Sequence, residues 1–353
     1  MLLPTTASTV WILAIVSLLC LGSWATTLKL AGKWRFEYFY FDFVFGILLS
    51  AGAAAFILGS VNPQDLTFQD NMVLAGYRKM AWALGSGVVL NLGLLLLLAA
   101  MAVAGMSVAF PLALGVGLVI GTTWDALSVT PSSWVLVGGG IVLFLAAVVS
   151  IALAYSWRLD SQRQAAQAAL RPDPRVKSAR PKQPGAAIAI VLAFVSGIAL
   201  SVFPRALSEA TFGENGLAPY SAILLVSVSA LLSSPFFVLF FITFPITSAA
   251  ATGGNYLSGN VKQHLLGVGG GILWTSGMLC GLLAAGAPSS AQPNPLIQYA
   301  LSHGVLVVAA AWGLLAWREF QGTNERVRML VTGALVLFLS GLGIMAFAAS
   351  AAK

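Results

Sequence analysis

Ten long apolar runs separated by short polar segments dominate the chain, at residues 8–28, 38–59, 80–103, 106–127, 134–157, 186–204, 220–244, 263–286, 297–317 and 327–350. Each is close to the ~20 residues an α-helix needs to cross a hydrocarbon core of roughly 30 Å. The pattern predicts an all-α membrane protein with ten transmembrane helices. The third and fourth are separated only by Ala104-Gly105 and so must form a tight hairpin. The one extended polar stretch, with Pro172, Pro174, Pro181 and Pro184, reads as a flexible linker with a short helical start at Gln162 to Leu170. It divides the chain into a first five-helix repeat at 1–157, a linker at 158–185 and a second five-helix repeat at 186–353. Because five is odd, the second half enters the membrane from the opposite side, which makes any repeat an inverted one.

Composition agrees with the pattern. The chain of 353 residues is 59% hydrophobic and 8% charged, far below the roughly 25% charge of a soluble domain. The net charge of +7 does not mark a nucleic-acid surface, because the cations sit in short segments between apolar runs. Of the 18 Lys and Arg residues, all but Arg78, Lys79, Arg205 and Lys353 fall in or beside the odd-numbered loops. Cytoplasmic loops carry the excess of positive charge, so the expected topology puts the central loop in the cytoplasm and both termini outside, in the inner (plasma) membrane. The first apolar run has no basic residue before it and Lys29, Lys33 and Arg35 after it, which reads as a retained helix and not a signal peptide. Cys20 and Cys280 lie singly inside apolar runs, so neither a disulfide framework nor a metal site is expected.

The two halves carry weak internal matches. Gly85, Gly87 and Gly93 recur 184 residues later as Gly269, Gly271 and Gly277, and Ile141 to Leu145 recurs 194 residues later as Leu335 to Leu339. Against this background the ionisable residues inside spans stand out, since each is costly in a bilayer. Asp42 could carry a coupling proton or bind a solute donor, or form an ion pair with Lys29 or Arg35. His303, one turn after Tyr299, could exchange protons or simply bond a neighbouring helix. His264 follows Lys262 and reads as a solvated edge residue.

Candidate solute contacts are Trp24, Asn91, Thr122, Thr123, Trp274, Thr275 and Tyr299. Asn91 and Thr275 each lie four residues after a matched glycine, on the face where helices approach closely. An aromatic wall with an amide and a hydroxyl suits a planar polar solute; packing and back-bonding to helix carbonyls are the alternatives. Glu319 reads as interface anchoring. No nucleotide-binding phosphate loop, HExxH pair, nucleophile elbow or arginine run is present, so an ATP-driven pump, a hydrolase and a voltage sensor have no machinery here.

Several segments resemble the drug/metabolite transporter superfamily, in its ureide permease and glucose/ribose porter branch. They are Gly22-Ser-Trp24, Lys29, Arg35-Phe-Glu37, Tyr40-Phe-Asp42 and Gly46, then Gly105 to Pro111 and Ile120 to Trp124, then Gly269 to Trp274 with Gly277. The resemblance implies an EamA-like fold, with a cavity lined by spans 1, 3 and 4 and their counterparts 6, 8 and 9. It also implies uptake of ureide-like, nucleobase-like or sugar solutes with protons as the coupling ion, in a monomer or homodimer without cofactors. The plant permeases carry a longer central loop with a phosphate-loop-like stretch that is missing here. The alternatives are a drug or metabolite exporter of the same superfamily, and a non-transporting membrane scaffold or an unrecognised membrane enzyme.

Overall fold

The computed structural model describes residues 1–32, 34–61, 66–128, 133–168, 186–246 and 256–351. The linker prolines, Lys33 and Lys353 lie outside the described residues. In the first half the helices are α1 (Ala7–Ser23), α2 (Thr26–Leu30), α3 (Phe36–Ile57), α4 (Phe68–Leu74), α5 (Tyr77–Ala104), α6 (Met106–Ser128) and α7 (Trp134–Ala168). The second half has α8 (Ala186–Thr211), α9 (Pro219–Thr243), α10 (Val261–Ala285), α11 (Pro295–His303), α12 (Val305–Ala311) and α13 (Glu325–Ser350). No strand occurs among the described residues.

Eight of these helices, α3, α5, α6, α7, α8, α9, α10 and α13, are long and apolar enough to cross a bilayer. The expected first and ninth spans are broken. The first stops after the 17 residues of α1 and resumes as α2 past Trp24-Ala25. There the Thr26 and Thr27 hydroxyls donate to the carbonyls of Ser23 and Trp24 at 2.6 and 2.7 Å, which ties the break down locally. The ninth bends by 41° between α11 and α12 at Gly304 and ends in a π-helical turn, Trp312–Ala316. The expected helical start in the linker is instead a continuation of α7, unbroken to Ala168. Its Gln- and Ala-rich sequence favours helix.

Packing follows a regular scheme. α5 lies against α8 and α9, α10 lies against α1 and α3, α3 and α9 pack together, and α7 and α13 pair at one flank. Glycine permits the closest approaches. A Cβ added at Gly271 would overlap the backbone of α3 at Phe43 and Ile47, and one at Gly87 would overlap that of α9 at Val226. Gly93 is pressed on Leu200 of α8, and Gly277 on Cys20 and Leu21 of α1. In hydrocarbon, tight van der Waals contact of this kind is a main force joining helices. The outer faces stay apolar and exposed: Val135, Val142 and Val149 of α7, Val191 and Phe194 of α8, and Phe236 and Phe240 of α9. On a soluble protein such patches would be a liability; here they face lipid.

Gly271→Val lowers the midpoint of thermal unfolding in detergent, by an overpacking cost of about 1–3 kcal/mol. Gly269→Ala, where an added Cβ meets nothing within 4 Å, leaves the midpoint unchanged or raises it.

Candidate functional site

The helix ends and the bent pair surround a cavity of about 360 Å³. Its wall takes Leu21 and Trp24 from the α1–α2 break, and Leu90, Leu94 and Leu97 from α5. Phe110 to Asp125 of α6, Leu200 to Arg205 of α8, Trp274 and Met278 of α10, and Tyr299 to Leu306 of α11 and α12 complete it. Both halves of the chain contribute. One end is floored by the buried Trp24, Leu97 and Phe110. The other is rimmed by Ser201, Arg205, Asp125 and Ser302, all exposed or partly exposed, so the cavity opens at the Asp125 end.

Five of the residues singled out from sequence meet in this cavity: Trp24, Thr122, Trp274, Tyr299 and His303. Trp24 is held by Phe43, with ring centroids 4.7 Å apart, and by Phe110 at 6.1 Å. Tyr299 and His303 stack at 4.1 Å, and His303 Nδ1 lies 2.9 Å from the Tyr299 carbonyl, which leaves the far edge of the imidazole for the cavity. The buried Tyr299 hydroxyl has no hydrogen-bond partner among the described residues.

The other candidates lie elsewhere. Asn91 is fully buried between α3, α5 and α9. It accepts from the Tyr40 hydroxyl at 2.7 Å and from Ser234 at 3.2 Å, and donates to Ser233 at 2.7 Å. Thr275 donates to its own helix at Gly271, 3.0 Å away, and leans on Ile47 of α3. Thr123 is exposed and donates to Val119 at 2.6 Å. Thr122 makes a similar bond to Leu118, also at 2.6 Å, yet still lines the cavity.

Asp42 also stands apart from the cavity. Its carboxylate accepts from Tyr256 and meets His264 Nδ1 at 2.7 Å, where sequence reasoning offered Lys29 or Arg35 as partners. Lys29 pairs instead with Glu319, and Arg35 with Glu37 at 2.9 Å. Trp34 packs edge-on to His264 at 4.8 Å, and Tyr256 does so at 4.9 Å. Burial and the Asp42 carboxylate push the Tyr256 phenol up to about 12, so it remains a donor at neutral pH. His264 is therefore only partly solvated, with its side chain 28% exposed.

Glu319 is the polar group whose position sequence reasoning missed. The π-helical turn and the positive φ of Arg318 (47°) turn it inward. Its carboxylate pairs with Lys29 and accepts the Met106 and Ser107 N–H groups at 3.0 and 2.7 Å, at the start of α6. A carboxylate at a helix N-terminus meets unpaired amides and the positive end of the helix dipole. One signal was available: Glu319 lies 194 residues after Asp125, the offset that also relates Ile141 to Leu335. Asp125 itself pairs with Arg205 at the open rim.

No family model matches the chain. It is 22% identical over 387 residues to Ureide permease 1 of Arabidopsis thaliana, and 23% over 394 residues to Ureide permease 4 of the same plant, with 94% of each chain covered. Its relatives are permeases. A further match, to Ureide permease 3, reaches 30% identity over 112 residues, or 31% of this chain. A crystal structure described only as that of a protein superposes over 98% of both chains with a TM-score of 0.50 at 14% identity, a likeness of fold alone. Permease relatives and many apolar helices together support a multi-pass membrane permease and not an enzyme.

Asn91→Leu removes the side-chain amide that Tyr40, Ser233 and Ser234 share, and because each hydroxyl keeps a backbone carbonyl the cost is about 1 kcal/mol of stability. The measurement is thermal unfolding in detergent, where Asn91→Leu combined with Tyr40→Phe is less destabilising than the sum of the two single changes.

Proposed function

We propose that the chain is a secondary transporter that carries a small polar solute through the central cavity by alternating access. The observation that carries the reading is the cavity itself, walled by both halves and lined by Trp24, Thr122, Trp274, Tyr299 and His303. A solid helical core would have favoured a membrane scaffold. Ten spans in two inverted repeats make sense of the packing. If α1 and α8 are counterparts, as are α3 and α9, α5 and α10, and α6 and the α11–α12 pair, the largest contacts between the halves have mates. Thus α5 on α8 mirrors α10 on α1, and α5 on α9 mirrors α10 on α3. The matched glycines follow suit, Gly87 with Gly271 and Gly93 with Gly277.

The charge distribution orients this arrangement. Lys29, Arg35, Lys262, Arg318, Arg326 and Arg328 fall at the ends expected in the cytoplasm. The closed floor then faces inward and the Asp125 rim outward. The wall is mostly aromatic and aliphatic with few hydroxyls, which suits a planar ureide or nucleobase-like solute better than a sugar. Trp24, Thr122, Trp274, Tyr299 and His303 are the proposed contacts. For proton coupling, Asp42 with His264 forms one titratable pair and His303 in the wall is the second candidate.

In proteoliposomes under an inward proton gradient, a panel of ureides, nucleobases, pentoses and hexoses identifies an accumulated solute. Trp274→Ala and Tyr299→Ala then raise KM for that solute severalfold. Asp42→Asn abolishes gradient-driven accumulation while exchange of solute down its own gradient persists. Undiminished accumulation in Asp42→Asn removes Asp42 from the coupling mechanism, and the absence of uptake for every compound overturns the reading of the cavity.

A further inference from the structure

The two ion pairs at the ends of the cavity share a design. Lys29 belongs to the first span of the first half and pairs with Glu319 at the end of the fourth span of the second half. Arg205 belongs to the first span of the second half and pairs with Asp125 at the end of the fourth span of the first half. Each pair therefore ties the opening helix of one half to the fourth helix of the other, with the same sign on each partner, and the two carboxylates are 194 residues apart.

Their states differ. Glu319 is 6% exposed, bound by two backbone amides and by Lys29, whose side chain is 26% exposed and whose ammonium also lies 5.7 Å from the centre of the Trp317 ring. Gly313 packs on Ser107 beside it, so the start of α6 and the π-helical turn meet without space between them. At the other end the Asp125 and Arg205 side chains are 67% and 39% exposed, and both line the open rim. A pair whose carboxylate is buried and held by two amides as well as by its cation resists opening more than one whose members are both exposed to water.

We infer that Lys29–Glu319 and Asp125–Arg205 are reciprocal gates, the first locked and the second loose in this conformation. Opening the Lys29 end requires Glu319 to leave the α6 amides and Lys29 together. Closing the other end brings Arg205 and Asp125 into a correspondingly buried pair. The inference rests on the alternating-access reading, yet its test uses no solute, so a failed uptake panel and a failed gate give different results.

In full-length protein with Cys20 and Cys280 replaced by Ser, Leu97→Cys places one thiol on the cavity wall. Its labelling by a charged, membrane-impermeant thiosulfonate is followed in vesicles of either orientation. The parent labels from the Asp125 side and slowly from the Lys29 side. Glu319→Gln and Lys29→Met each raise the Lys29-side rate about tenfold, as loss of one charge shifts the balance of the two states. Adding Asp125→Asn to Glu319→Gln brings the ratio of the two rates back toward the parent, a compensation that mere loosening of the fold does not produce. Unchanged Lys29-side labelling in both single variants, with thermal unfolding intact, overturns the gate. So does a double variant that labels faster still from the Lys29 side.

Discussion

Hydrocarbon supplies no hydrogen bonds, so every polar group this chain brings into the membrane must find its partner within the protein. The backbone meets the demand by forming helices. The side chains meet it locally where they can: the hydroxyls of Ser50, Ser150, Ser156 and Ser276 each return to a carbonyl four residues back. What cannot be satisfied locally becomes a link between helices. Asn91 joins three of them, Asp42 joins α3 to the start of α10, and Glu319 joins the end of the ninth span to the start of α6 and to α2. Small residues make these links reachable, since Gly267 lets α10 press on the Asp42 side chain and Gly271 lets it press on the α3 backbone.

The same demand explains where the cavity forms. Continuous helices such as α5 and α10 pack closely where their glycines meet a neighbour and line the cavity elsewhere. The two interrupted spans, at Trp24-Ala25 and at Gly304, also border it, with Trp24, Tyr299 and His303 beside their breaks. Irregular backbone at membrane depth is tolerated where it is buried in protein or lines a cavity, and here it does both. Aromatic and aliphatic side chains shape the walls, with few polar groups among them.

Much of the helical content was legible because apolar runs of this length have few other uses. The start of α6 directly after Gly105, whose φ is 88°, follows from a two-residue gap that only a glycine turn can bridge. The placement of individual side chains was less legible. A soluble helix shows its inward face by the contrast of apolar and polar positions; a span that is apolar all round gives no such contrast. Asn91 and Thr275 sit on the glycine face, as their spacing requires, but that face meets α9 and α3 and not the cavity. Thr122 and Thr123 are adjacent, and only the packing of α6 turns the first toward the cavity and leaves the second exposed.

By itself, the sequence determined that this chain is helical and lives in a bilayer, and it carries glycine and leucine patterns that recur 184 and 194 residues apart. Those properties depend on the transfer of side chains from water to hydrocarbon and on backbone sterics, both of which act locally. Only the tertiary structure decided which polar groups meet: Asp42 with His264, Lys29 with Glu319, and Arg205 with Asp125. Charges this sparse carry no local pattern, and partners as much as 290 residues apart are brought together solely by how the helices pack.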